Sequence, residues 1–357
     1  MEKMKIIEVI SDLHLAGAQK MCSALSVALQ DKGNQVVVIC MFNTHTAIAK
    51  TLEENGIRIY FLDKKKGFDC SIFEKIRKIL RMEKADVMHL HLNALQYGIP
   101  AAMGLRKMKR IYTFHSMAEC KKGFVWFVNR FFFKFSKVIP VALSEKVKFS
   151  ISTTYKLNSK KIPTIFNGVD LSKCICKNAY DILQEIKILH IGRFSLEKNH
   201  KGLIEAFLRF HKEYPNSCLQ LIGDGALRSE IEKLVAENDL MDNVQFLGLQ
   251  DNVYGYLQQA DIFTLPSTVE GMPITLIEAM GTGLPIVATR VGGIPDMLTD
   301  GEDALLTDVD SEQIAKAWMK LAEDKELRER LGKNALRRSV QYSAETMAEK
   351  YLEVFQS

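Results

Sequence analysis

The segment DIFTLPSTVEGMPITLIEAM, residues 261–280, carries three local signals in succession. DIFTLPS is an apolar run with β-branched and aromatic residues, and reads as a short buried strand ending at a proline. Ser267 to Met272 form a loop that contains Gly271. Pro273 suits a first helical position, where its missing N–H costs nothing, and the spacing predicts a helix over 273–282. Strand, short loop and helix in this order form the repeating unit of a parallel α/β sheet. The loop and the helix start also hold two acids, Glu270 and Glu278, eight residues apart.

The same unit recurs on both sides. Upstream run IKILHIGRF (186–194), a helix over 201–213, CLQLIGDG (218–225), a helix over 226–238 and NVQFLGL (243–249); downstream come PIVATR (285–290) and helices near 311–323, 325–340 and 344–355. An earlier series begins with KIIEVIS (5–11) and a helix closed by Gly33. It continues through QVVVICMF (35–42), ADVMHLHL (85–92), RIYTFHS (110–116) and KVIPVALS (137–144). Between the two series, residues 167–185 lose any clear period and contain an Asn-Gly turn signal. The expected organisation is α/β, with two Rossmann-like doubly wound parallel-sheet domains facing across a cleft. They cover residues 1–170 and 171–340, and a helix at 341–357 packs back on the first. In such sheets ligands sit beyond the carboxyl ends of the strands.

Composition narrows the class. The chain has 357 residues, 47% hydrophobic and 25% charged, enough for two domains with real cores. No apolar run reaches the length of a membrane span, and the N-terminal residues lack the pattern of a secretory signal. Seven scattered cysteines without a CxxC pair point to a reduced, cytoplasmic chain rather than a zinc or disulfide scaffold. The net charge of +5 hides an asymmetry: residues 1–170 hold 28 Lys and Arg against 14 Asp and Glu, and the remainder holds 20 against 29. Two modules with different partners are implied.

The loops that follow strands carry the chemistry. Free amides and the dipole at the helix start after Met272 attract an anion. A carboxylate accepts two adjacent hydroxyls, so Glu270 and Glu278 suit ring alcohols beside that anion. Arg193 and Lys198 in HIGRFSLEKNHKG can donate to a diphosphate. Gly223, Gly225, Gly292 and Gly293 give further strand-end turns. Phosphate with diols describes a nucleotide sugar; a surface loop with a capping acid is the plainer reading of the segment taken alone. His89 and His91 share one face of a strand, but a third metal ligand is not evident.

The sequences RFSLEKNHKG, LIGDG, STVEGMPITLIEAMGTGLPIVATRVGGIPDML and the NGVD hinge resemble the retaining family-4 glycosyltransferases, glycosyl transferases group 1, of the GT-B fold. The pattern from Glu270 to Glu278 matches that family's signature. The resemblance implies a retaining hexosyltransferase (EC 2.4 class) that uses a UDP- or GDP-sugar, with no cofactor and no metal. It implies that Glu278 binds ribose hydroxyls, that Glu270 contacts the donor sugar, and that Arg193 and Lys198 hold the diphosphate. Gly271, Met272 and the amides near Thr275 and Leu276 would complete the donor site. In the first half, LAGAQK stands where the family has a Gly-Gly-Ala-Glu loop; Gly17 keeps the position of close phosphate approach, whereas Ala16 and Gln19 differ. His115 falls where the family places a histidine near the donor sugar. His115, Arg193, Lys198 and Glu270 are thus the expected catalytic group.

The basic first half has its own feature. KKGFVWFVNRFFFKFSK, residues 121–137, contains five Lys and Arg and no acid, and RKMKR, residues 106–110, adds four cations. Phe124, Phe127, Phe131 and Phe135 follow helical spacing, with Lys121, Lys122, Trp126, Arg130 and Lys134 beside them. Such a helix can lie on an anionic membrane surface, or it can be a core helix with a solvated basic edge. The first reading gives a peripheral enzyme on the inner face of the cell membrane, with a saccharide or lipid-linked acceptor and a role in surface polysaccharide or glycolipid synthesis. A non-catalytic nucleotide-sugar-binding protein is the alternative. Nucleic-acid binding lacks any supporting motif. A glycosidase is disfavoured because both acids flank one helix start instead of a sugar bond.

Overall fold

The structure, a computed structural model, describes residues 3–105, 107–120, 123–182 and 184–357. Its strands form two six-stranded sheets. The first contains β1 (Lys5–Ile10), β2 (Gln35–Cys40), β3 (Arg58–Phe61), β4 (Val87–His91), β5 (Lys109–Phe114) and β6 (Val138–Ala142), in the order β3-β2-β1-β4-β5-β6. The second contains β7 (Ile186–Ile191), β8 (Ser217–Ile222), β9 (Val244–Gly248), β10 (Ile262–Leu265), β11 (Ile286–Thr289) and β12 (Leu305–Thr307), in the order β12-β11-β10-β7-β8-β9. Neighbouring strands pair in parallel throughout. The continuous apolar runs follow from this, since helices cover both faces and β10 is buried along its whole length. Each sheet therefore has a point where the winding reverses: β1 beside β4 in one, β7 beside β10 in the other.

The chain divides into two compact units, Met1–Val169 with Ser343–Ser357 and Asp170–Tyr342. In the first unit the C-terminal helix Ala344–Gln356 packs on the helix Gly17–Asp31 and buries Tyr351 and Phe355. Lys32 pairs with Glu349 at 2.7 Å across the same contact. In the second unit Trp318 is fully buried, edge-on to Phe210 at 5.9 Å.

Local chemistry moves some expected boundaries. Pro273 is the N-cap residue of the helix Ile274–Thr282, in extended backbone (φ −72°, ψ 121°), and not its first helical residue. The helix expected over 226–238 is Arg228–Glu237, because a turn closed by the Arg228 amide on Gly225 O precedes it. The helix His200–Glu213 begins one residue early because the Asn199 side chain caps it, accepting from the Gly202 amide. The half-exposed edge strand β3 carries too weak a pattern to be read from sequence.

Candidate active site

In the second unit, β7 and β10 lie side by side, with Ile262 opposite Ile188 and Phe263 opposite Leu189. The loops leaving their carboxyl ends are therefore neighbours at the reversal of strand order. Loop 192–199 carries Arg193, which is exposed, and ends in the 3-10 turn Leu196–Lys198. Loop 266–273 carries Glu270. Lys198 Nζ meets Glu270 Oε1 at 2.5 Å, and Ser267 Oγ donates to the same oxygen at 2.6 Å. The Thr268 amide on Glu197 O (2.8 Å) and Asn199 Nδ2 on Pro266 O (3.1 Å) clamp the two loops together.

The strand-end glycines explain how the loops come so close. Gly292 has φ +56°, and a Cβ there would stand 1.7 Å from Glu270 O. Gly223 has φ +139°, and its Cβ would stand 2.0 Å from Gly192 O. Each glycine lets one strand-end loop press on the backbone of the next, fixing Glu270 in one case and the start of the Arg193 loop in the other.

Glu278 lies one turn into the helix Ile274–Thr282 and is 2% exposed. Burial, and next the charge of Glu278, push the Cys174 thiol up to about 12 and raise the Tyr254 hydroxyl. Leu276 is buried and its amide donates to Pro273 O at 3.2 Å, so that amide is already engaged. Met272 is buried, and Gly271 and Thr275 are half-buried. Below the Lys198 loop, burial holds His190 and His200 neutral, His200 at about 4 with the Lys198 charge as the second cause.

The first unit builds a polar chain inside its sheet. Glu8 on β1, His89 and His91 on β4, and Thr113 on β5 are all 0% exposed. Register sets Glu8 opposite His89 and His91 opposite Thr113. Glu8 Oε2 is 2.9 Å from His89 Nδ1 and 2.7 Å from His91 Nε2. His89 Nε2 lies 2.7 Å from Thr113 Oγ1, which lies 2.6 Å from the Tyr351 hydroxyl. In the other direction, His91 Nδ1 lies 3.0 Å from Nε2 of His115, at the half-buried end of β5. Glu8 is the third member that the two histidines lacked in the sequence reading, and the three donor sets lie within 4.8 Å of one another. Tetrahedral zinc, with bonds of ~2.0–2.1 Å, would hold its ligand atoms about 3.3 Å apart. The 2.7 and 2.9 Å separations are hydrogen bonds instead. Glu8 could have been suspected from KIIEVI, where it interrupts an otherwise apolar strand.

Comparison with known proteins agrees with this architecture. Residues 177–338 match the family "Glycosyl transferases group 1", and residues 15–173 match "Glycosyltransferase Family 4". The N-acetyl-alpha-D-glucosaminyl L-malate synthase of Bacillus anthracis is 30% identical, over 81% of this chain and 79% of that protein. The chain belongs to the group 1, family 4 glycosyltransferases. A Campylobacter jejuni relative, GalNAc-alpha-(1->4)-GalNAc-alpha-(1->3)-diNAcBac-PP-undecaprenol alpha-1,4-N-acetyl-D-galactosaminyltransferase, is 29% identical over 98% of both chains. The crystal structure of Anabaena HepE in complex with UDP-glucose has a TM-score of 0.85 at 18% identity, covering 99% of each chain. That likeness shows the GT-B fold.

Two further parts of this glycosyltransferase bear on the expected residues. Gly17 is the first residue of the helix Gly17–Asp31, and a Cβ there would meet nothing within 4 Å. Gln19, in place of the family's Glu, is buried and donates to Asp12 Oδ1 at 2.7 Å, tying the helix start to the preceding loop. The basic aromatic segment forms the helix Gly123–Phe135. Lys121, Lys122, Arg106 and the side chain of Phe124 lie outside the described residues. Phe127, Phe131 and Phe135 are 62%, 51% and 63% exposed, and Lys134 is exposed beside them. Trp126 and Arg130 instead turn toward the unit: Trp126 Nε1 donates to Thr154 O (3.2 Å) and Arg130 to Tyr155 O (2.8 Å). Both satisfy carbonyls at the end of the helix Glu145–Tyr155. Among the described residues, no helix is long and apolar enough to cross a membrane.

Proposed function

We propose that this glycosyltransferase moves a hexose from a UDP- or GDP-sugar to a saccharide or lipid-linked acceptor, with retention of configuration and without a metal. The Lys198–Glu270 pair at the reversal between β7 and β10 carries the reading. An ammonium has three N–H groups, and among the described residues Lys198 donates one of them to Glu270. The remaining donors serve a diphosphate, together with Arg193 and the first-turn amides at Thr275. Glu270 positions that ammonium and accepts a sugar hydroxyl, and Glu278 reads the ribose. Gly271 and Met272 shape the loop; Gly17 and His115, in the first unit, are proposed as donor contacts in their own right. Charge gathering on the leaving diphosphate meets fixed cations and dipoles, which lowers the barrier.

The exposed Phe127, Phe131 and Phe135 with Lys134 suit a peripheral seat on an anionic membrane. The undecaprenol-linked substrate in the name of the Campylobacter relative supports a lipid-linked acceptor, and the UDP-glucose bound to HepE supports a UDP-sugar. A panel of UDP- and GDP-sugars tests the reading. One donor should raise the melting temperature as its concentration increases and yield an α-linked product from an α-donor with a polyprenyl-diphosphate saccharide. Binding without product would reduce the protein to a nucleotide-sugar binder, and an inverted anomer would overturn retention.

A further inference from the structure

The buried chain Glu8–His91–His115 can be read proton by proton. An ionised carboxylate accepts hydrogen bonds and donates none. Burial pushes the Glu8 carboxyl up, but the charge of His89 and the hydrogen bonds from His89 and His91 outweigh it and leave Glu8 at about 2. His91 Nε2, 2.7 Å from that carboxylate, must then carry a hydrogen. Burial, with the His89 charge second, lowers His91 to about 4, so near neutrality its other nitrogen is bare. Bare Nδ1 of His91 faces Nε2 of His115 at 3.0 Å, and two facing ring nitrogens at that distance share one hydrogen. That hydrogen belongs to His115.

We propose that Glu8 is a positioning residue: acting through His91, it fixes His115 as the tautomer with hydrogen on Nε2 and a bare Nδ1. Second-group control of a tautomer is the ordinary way in which a buried carboxylate assigns a role to a histidine. His115 Nδ1 has no partner among the described residues, so a bare Nδ1 is the acceptor that this ring offers. Resting on the role proposed above for His115, that acceptor takes a hydrogen bond from a hydroxyl of the donor sugar. A reversed proton order would present an N–H there instead. The ring would then donate to the hydroxyl's oxygen instead of accepting its hydrogen, while His91 and His115 stayed in contact.

The test uses the full-length enzyme with 15N-labelled histidines, without donor, near neutral pH. Two-bond proton–nitrogen correlation spectra should show His115 with a protonated Nε2 and a bare Nδ1. A nitrogen–nitrogen coupling should appear across its hydrogen bond to His91. A protonated Nδ1 on His115, or an imidazolium, overturns the proposal. In Glu8→Gln the side chain can donate as well as accept, so both proton orders become open and a second His115 tautomer should appear. An unchanged single tautomer in that variant also overturns the proposal. Should Glu8→Gln fail to fold, the wild-type coupling decides alone. The proton order is read without substrate, so it stands apart from the donor reading. Unchanged donor affinity in His115→Ala would remove the sugar contact and leave the tautomer result intact.

Discussion

Lys198 and Glu270 are a charged pair held in partly sheltered surroundings, with side chains 20% and 9% exposed. Removing one partner leaves the other's charge uncompensated, so Lys198→Ala should depress more than binding. We expect turnover to fall by about 10²–10³, the usual loss for one donor aimed at developing charge, in initial-rate assays on protein whose melting is checked in parallel. Gly292→Ala acts on the same carboxylate from behind. It forces a Cβ into left-handed backbone and against Glu270 O. The conformational term alone is about 1 kcal/mol or more, and calorimetry should show a lower melting temperature together with weaker donor binding. At this scale much of the site was legible. The spacing of Glu270 and Glu278 and the cations after β7 stand in contiguous sequence, as do the glycines. The Lys198–Glu270 contact was not legible, nor was the part played by Glu8, because each depends on which strands are neighbours.

The helix Gly123–Phe135 shows how one element divides its faces. Its phenylalanines at positions 127, 131 and 135 look outward, whereas Phe133 and Asn129 are buried and Trp126 and Arg130 serve the end of another helix. Two members of the expected membrane-facing row, Trp126 and Arg130, thus also hydrogen-bond to the fold. The two sets should respond differently to mutation. Phe131→Ser should change stability by no more than about 0.5 kcal/mol, as exposed substitutions do, and should reduce sedimentation with anionic vesicles. Arg130→Ala should destabilise by about 1.5–3 kcal/mol, the range for hydrogen bonds to charged groups, with vesicle binding largely kept. Chemical denaturation and vesicle co-sedimentation measure the two effects. Periodicity in the sequence located the helix, but 13 residues with so many aromatics offer more than one apolar face, and packing chose among them.

Across the whole molecule, buried imidazoles set the response to acid. His91 in the first unit and His200 in the second are each held at about 4 against an ordinary 6.5, and burial also keeps His115 and His190 low. As pH falls from 6.5 to 4, the unfolded chain takes up protons that the folded chain refuses, so stability is lost across that window. Glu8 acts in the same direction at lower pH: its contribution is present above 4.5 and disappears as pH falls toward 2. Melting temperatures should therefore decline steadily from pH 7 to pH 4, and a rise on acidification would contradict the buried neutral state of these rings. By itself the sequence determined the alternation of strands and helices, and hence two parallel sheets with polar loops after the strands, because side-chain period is a local property. Only the tertiary structure decided that β7 lies against β10 and β1 against β4. Strand order depends on how the crossover helices pack, and that packing joined Lys198 to Glu270, and Glu8 to His89 and His91, over sequence distances that no local pattern spans.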